Sequence, residues 1–419
     1  MKRWIISIIV LAAIAAISTC IIVFFGGKGR EAQASDLMEG IEAKDVENVS
    51  VVPFEPVIAD FTAILFRECY EDGKNQLISP ISVISALGMT ANGAKGNTLA
   101  QMEDVFGVSA EELNKYLHSY MESLSVGEKY KLTMANSIWL RDSLKNVQQD
   151  FLQTNADYYG ADIYRRVFDN ATLNDINKWV DKKTDHMIPS ILEQIEPDDM
   201  MFLINALCFD AKWQDPYKDS DVRDDTFTRE DGSIKNVKMM YSTEHRYLEN
   251  ELVTGFLKYY ADKKYAFVAL LPKEGKSMDE CVSGLDGEAI LKLLRSVSED
   301  TVLTRTPKFK AEYSIEMCDV LKAMGIEDAF DSRADFSGIA PITDDTFLYI
   351  GTVIHKTFIE LDEKGTKAAA ATMIGMKNSG ALMMDEQKKV YLDRPFIYMI
   401  IDRNYNVPLF IGTMTDPES

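Results

Sequence analysis

Positive charge is in short supply: 45 Lys and Arg stand against 66 Asp and Glu, a formal net charge of −21. The basic residues are scattered, which excludes a polyanion such as nucleic acid or heparin held by a basic patch and leaves a well-solvated acidic surface. Cysteine is scarce. The five present, Cys20, Cys69, Cys208, Cys281 and Cys318, include no C-x-x-C pair and no metal-like spacing. Neither a disulfide framework nor a zinc site is expected, and the four in the body read as buried free thiols. Histidine occurs only at 118, 186, 245 and 355, and there is no Gly-x-Ser-x-Gly elbow and no His-Glu-x-x-His helix, so hydrolytic catalysis is set aside. The run Gly93-Ala-Lys-Gly-Asn-Thr lacks the Gly-Lys-Ser/Thr ending of a phosphate loop and reads as a turn entering a helix. Asp215, Asp219, Asp221, Asp224 and Asp225 lack the spacing of a Ca²⁺ loop. No metal or cofactor is expected.

Linkers, low-complexity tracts and repeats are also missing beyond the first fifty residues, so residues 54–419 read as one large domain despite a length that suggests more. The N-terminus is different. Lys2 and Arg3 precede an uncharged run over 4–25 that is long enough to cross a bilayer, with the charges on the cytoplasmic side. Residues 1–34 read either as a signal peptide cleaved after Ala32-Gln33-Ala34 or as a retained membrane anchor, and the body is extracellular in both versions. The acidic stretch over 35–53 has the composition of a disordered spacer.

Within the body, residues 54–70 carry helical periodicity, and Ser79-Pro80 has the form of a helix start. Residues 173–192 read as an amphipathic helix, and 265–272 as a strand buried on both faces. The segment 363–389 stands apart. It lies between two strand-like runs, 353–361 and 396–401, and begins with small residues that a sheet can accept without clash. Lys, Ser, Gly and Met side chains that a protease would take follow them. It has the character of exposed, cleavable bait.

Asn75 with Ile78-Ser-Pro-Ile-Ser82, Gly93-Ala94, Gly96-Asn-Thr98, Ala135-Asn-Ser-Ile-Trp-Leu140, Leu203-Ile-Asn-Ala-Leu-Cys-Phe209, Trp213 and Pro307-Lys-Phe309 follow one another in an order that resembles the serpins, the serine protease inhibitor superfamily. Asp335-Phe-Ser337, Val353-Ile-His-Lys-Thr-Phe-Ile-Glu-Leu361, Asp393-Arg-Pro-Phe396 and Leu409-Phe-Ile-Gly412 continue the match, which covers roughly 57–417. The resemblance implies a mixed α+β single domain with three β-sheets, eight or nine helices and an exposed reactive-centre loop, the bait.

It also implies roles for particular residues. Ser79, Ser82, Asn205 and His355 match the family's shutter beneath the main sheet, and Trp213 its breach, where the loop enters. Glu363, Gly365, Thr366, Ala368, Ala370 and Thr372 match the hinge. In a strand alternate residues share a face, so Thr366, Ala368, Ala370 and Thr372 form an inward row of small side chains that permits full insertion. Counting by the family's usual hinge length puts the scissile bond at Ser379-Gly380. The segment beyond it is several residues longer than the pattern, which keeps Met376, Lys377 and Asn378 open as alternatives. The function implied is suicide-substrate inhibition of extracellular serine proteases, elastase-like or subtilisin-like, by a monomer that forms a covalent acyl complex. The other reading is a non-inhibitory serpin-fold carrier that proteases simply cleave.

Overall fold

The computed structural model describes residues 35–124, 130–342, 347–366 and 387–418, and Asp36–Ser419 forms one compact unit. Local signals set its helices. Ser79 takes extended backbone and its hydroxyl accepts from the Ser82 N–H at 3.4 Å, while Pro80, with no N–H to satisfy, fills the first helical position of Pro80–Ala91. Every residue of that helix is buried. The helix expected over 54–70 runs Glu55–Cys69, and the turn at 93–98 leads into Gly96–Phe106.

The pattern over 173–192, expected to be one helix, is divided. The helix Asn170–Lys183 starts at Asp169, whose carboxylate accepts from the N–H groups of Ala171 and Thr172 at 3.0 Å. It stops where Asp185 and His186 take positive φ of 50° and 63°. Residues 187–192 are not helical, yet Ile188, Ile191 and Leu192 bury against the same cluster as Ile176, Trp179 and Val180. Asn177 secures them: its Oδ1 accepts from the N–H of Ile191 (2.8 Å) and Leu192 (3.0 Å), and its Nδ2 donates to the Leu192 carbonyl (2.8 Å). A hydrophobic pattern reports burial, and here burial outlasts the helix.

Nine α-helices and three sheets are found among the described residues. In the main sheet β1 is Tyr130–Arg141, β2 Asp162–Arg166, β3 Met201–Lys212, β4 Phe309–Glu316, β5 Thr352–Leu361 and β6 Gly365–Thr366; they lie in the order β2-β1-β3-β6-β5-β4. The alternation of β3 explains why its residues 201–209 are buried on both faces. Leu203, Leu207 and Phe209 face the principal core, whereas Phe202, Ile204, Ala206 and Cys208 face the layer under the helix Asn170–Lys183. A second sheet holds Tyr265–Pro272 between antiparallel partners on both sides, with all its residues buried, as its sequence predicts. The third sheet contains Lys388–Tyr391, Val302–Pro307, Ile234–Glu244 and Val222–Thr228.

Cys69, Cys208, Cys281 and Cys318 are buried thiols that take part in no disulfide. Burial pushes the Cys69 thiol up to about 12 and the Cys281 thiol up to about 11, which leaves little reactive thiolate. No helix among the described residues is long and apolar enough to cross a membrane, and the apolar run over 4–25 lies outside them.

The stretch expected to be a disordered spacer is a correction. Residues 36–51 lie along the body: the Lys44 N–H donates to Asp157 Oδ1 and the Val49 N–H to Ser119 Oγ, both at 2.8 Å, and Gln153 Nε2 donates to the Glu42 carbonyl at 3.0 Å. Asp36, Glu39, Glu42, Asp45 and Glu47 are all exposed, so the acidic composition describes only the face turned to solvent. The backbone finds its partners on the helices Ala110–Ser123 and Gln149–Tyr159.

Asn177→Ala strands the amide groups of residues 191 and 192. It is expected to cost about 1–3 kcal/mol and lower the thermal midpoint, whereas Asn177→Asp, which keeps the acceptor for both N–H groups but turns an oxygen toward the Leu192 carbonyl, recovers only part of the loss. Differential scanning of the three proteins checks this.

Candidate functional site

The described start of the bait, residues 363–366, follows β5 and returns to the main sheet, so the flanking strands define the site. β3 and β5 pair directly and in parallel from Phe202 opposite Thr352 to Cys208 opposite Phe358. Beyond that seam they part. Into the gap at the end of β3 comes β6, antiparallel to both neighbours, with Gly365 opposite Lys212, and Thr366 opposite Ala211 and Leu361. A Cβ on Gly365 would stand 2.0 Å from the Ala211 carbonyl oxygen, so only glycine admits this close approach.

Midway along the seam His355 is in register with Asn205. The Ser79 N–H donates to His355 Nε2 at 3.0 Å, which makes Nε2 an acceptor and puts the ring proton on Nδ1, bonded to Asn205 Oδ1. Asn205 Nδ2 then donates to the carbonyl and hydroxyl oxygens of Ser82 at 2.6 Å and to Asn136 Oδ1 at 2.5 Å. Each donor faces an acceptor only if the imidazole is neutral. Burial agrees, pushing the His355 pKa down to about 3. Both ring nitrogens are thereby engaged, and neither is free to activate a hydroxyl. Of the other histidines, His186 pairs with Asp181 at 2.7 Å on the surface, His245 Nδ1 lies 3.3 Å from Thr301, and His118 meets the edge of Tyr158. Among the described residues no group of His, Cys, Asp or Glu is arranged to hold a metal ion.

At the mouth of the seam Trp213 holds the base of the bait. Its backbone N–H donates to the Lys364 carbonyl at 2.9 Å and its indole N–H to the Asp362 carbonyl at 2.8 Å; the Tyr217 N–H donates to the Glu363 carbonyl at 2.9 Å. Tyr260 stacks on Trp213 with ring centroids 4.4 Å apart, and its hydroxyl lies 2.6 Å from the Thr366 hydroxyl. Lys308 pairs with Glu363 at 2.7 Å. Burial pushes the Glu363 carboxyl up, but its bond to Lys308, a backbone bond and the nearby charges of Lys308 and Lys364 together outweigh this and the net shift is downward, so the carboxylate stays charged. Lys258, whose side chain is 5% exposed, sits 4.4 Å from the Tyr217 ring and 5.5 Å from the Trp213 ring, and pairs with Glu244 at 2.8 Å. Burial pushes its amine down, and Tyr217 and Glu244 more than restore it.

The structure thus brings Ser79, Ser82, Asn205 and His355 into one cluster, and Trp213, Glu363, Gly365 and Thr366 into a second at the end of the same seam. Ala368, Ala370, Thr372, Met376, Lys377, Asn378, Ser379 and Gly380 lie outside the described residues. Sequence reasoning missed Asn136, Tyr217, Lys258, Tyr260 and Lys308. A signal existed for Lys258, the one charge in the otherwise uncharged strand Val253–Tyr259. Nothing marks Tyr260.

The neutral imidazole makes stability depend on pH. With its pKa held below the ordinary 6.5, His355 contributes fully above that value, and the contribution is lost as pH falls from 6.5 toward about 3. The wild-type protein is expected to lose about 1.4 kcal/mol per pH unit below 6.5 relative to His355→Gln. Thermal midpoints of both proteins from about pH 7.5 to about pH 5 check this, and a constant difference would contradict the neutral ring.

This geometry has counterparts. The sequence model of the family described as Serpin (serine protease inhibitor) matches residues 56–417. The chain is 30% identical over 374 residues to an uncharacterized serpin-like protein of Thermococcus kodakarensis, covering 87% of this chain and 86% of that one. It is 31% identical over 379 residues to leukocyte elastase inhibitor of Equus caballus, covering 85% and 97%. Among solved structures, the thermophilic serpin tengpin in its native state superposes with a TM-score of 0.88 at 45% identity, covering 92% of this chain and all of that one. A main sheet whose two parallel strands part to admit Gly365 and Thr366, together with a family match over almost the whole body, settles the assignment: the chain belongs to the serpins, a family mostly of protease inhibitors.

Proposed function

We propose that this protein is a suicide-substrate inhibitor of extracellular serine proteases, acting as a monomer. The observation that supports this most is β6: Gly365 and Thr366, near the start of the bait, already lie in the main sheet, antiparallel to β3 and β5, at the end of a seam that continued entry would follow. Thr366 is fully buried there, which supports an inward row of Thr366, Ala368, Ala370 and Thr372.

In this mechanism the protease supplies the chemistry. Its serine attacks the scissile carbonyl, the amine leaves with the C-terminal part of the chain, and an ester joins the protease to the freed segment. Insertion of that segment between β3 and β5 then outruns hydrolysis of the ester and carries the protease away from its working geometry. Ser79, Ser82, Asn205 and His355 serve as the shutter and Trp213 as the breach. We assign the scissile bond to Ser379-Gly380, whose small side chains suit the shallow pockets of elastase-like and subtilisin-like proteases, with Met376, Lys377 and Asn378 as the alternative register. The N-terminal segment, cleaved or retained as a tether, directs the body outside the cytoplasmic membrane.

Incubation with elastase-, subtilisin- and trypsin-type proteases is expected to give an SDS-resistant complex with one of the first two, and mass spectrometry of the released fragment fixes the bond. Cleavage without a complex would instead favour a non-inhibitory carrier. Thr366→Arg places a charge at a buried position, and is expected to be cleaved at an undiminished rate while forming no complex.

A further inference from the structure

We propose that Tyr260 is a positioning residue that sets how far the uncleaved bait enters the sheet, by holding Thr366 through a buried hydroxyl pair. The proposal rests on the inhibitory reading of the bait, but its primary test does not require a protease.

Gly365 and Thr366 are inserted in the uncut chain, and the geometry brackets them on both sides. Below β6 the seam is closed from Cys208 opposite Phe358 onward, so further entry requires β3 and β5 to part. Retreat is opposed at the other end. The Thr366 hydroxyl, fully buried, has its partner in Tyr260 Oη at 2.6 Å. Tyr260 is itself fixed: it stacks on Trp213, meets the edge of Phe209 at 5.0 Å and 77°, and its N–H donates to the Tyr265 carbonyl at 3.0 Å. A rigid aromatic anchored in the second layer thus reaches up to one hydroxyl in the sheet. Withdrawing the hinge leaves the Tyr260 hydroxyl buried without this partner, and deleting either hydroxyl leaves the other stranded. Removing both, by contrast, restores an apolar contact of nearly the same shape. That asymmetry separates an anchoring role from simple packing.

The test is hydrogen–deuterium exchange of the intact protein, read on the peptide that carries Gly365 and Thr366, in wild type, Tyr260→Phe, Thr366→Val and the double variant. Each single variant is expected to exchange about tenfold faster there, the population change that follows loss of one buried hydrogen bond, while β1 keeps its protection. The double variant is expected to return to within about twofold of wild type. Exchange unchanged in Tyr260→Phe, or single effects that simply add in the double variant, would overturn the proposal. With a protease that forms a complex, Tyr260→Phe is expected to raise the moles of inhibitor consumed per protease severalfold, because the first insertion step must then follow cleavage, and the double variant is expected to reverse this. If no protease forms a complex, the inhibitory reading fails while the exchange result still decides the role of Tyr260.

Discussion

β3 and β5 run side by side in parallel from Phe202 to Cys208, and most of what is unusual in the molecule follows from that contact. Parallel pairing is slightly weaker per residue than antiparallel pairing. A strand entering between them, antiparallel to both as β6 already is, replaces one parallel ladder with two antiparallel ones. In the proposed mechanism the closed seam is therefore a folded state with a better-bonded alternative. What keeps it closed is the requirement that buried polar groups have partners, and His355, Asn205, Ser82 and the Ser79 N–H satisfy one another only while the strands stay in register.

Charge is handled differently at the two ends of this arrangement. In the middle, burial removes it: a neutral imidazole both donates and accepts, which a network of single-valued partners needs. At the mouth, charge is kept and paired. Lys258 with Glu244, and Lys308 with Glu363, fix the walls around Trp213 and Tyr217 without depending on the register of the seam. The middle is thus free to rearrange while the mouth stays aimed, a division of labour suited to the proposed entry of a strand from one end only.

Much of this was legible in the sequence, in proportion to how local the physics is. Ser79-Pro80 announces a capped helix because both residues act within one turn. The run from Tyr265 to Pro272 announces a fully buried strand because each side chain reports its own burial. Ser79, Ser82, Asn205 and His355 came together only through family resemblance, since nothing in their spacing relates position 79 to position 355. Tyr260 and Thr366 lie 106 residues apart and meet through a single atom pair, a contact that leaves no pattern in either neighbourhood. The two misreadings have one cause. Over 173–192 and over 35–53 the side chains describe which face is wet, and the backbone does something that pattern does not encode: it turns at Asp185 in the first case and docks on two helices in the second.

In the proposed mechanism the layer above the seam must also accommodate a new strand. The helix Asn170–Lys183 and the segment 187–192 cover the face of β3 made by Phe202, Ile204, Ala206 and Cys208, and reach Ile354 and Phe358 on β5. Their polar ties fall on either side of the line of opening: Trp179 Nε1 donates to Asp162 on β2 at 3.1 Å, and Lys356 on β5 donates to the Ser190 carbonyl at 3.1 Å. Separating β3 from β5 stretches one set of ties against the other, so the cover cannot stay bonded to both while the strands part. Each tie has one partner that water reaches, Asp162 in the first and the exposed Ser190 in the second, whereas the apolar contacts beneath re-form on whatever strand lies there. The barrier to opening is therefore concentrated in the seam's own buried polar cluster, and the cover follows the sheet.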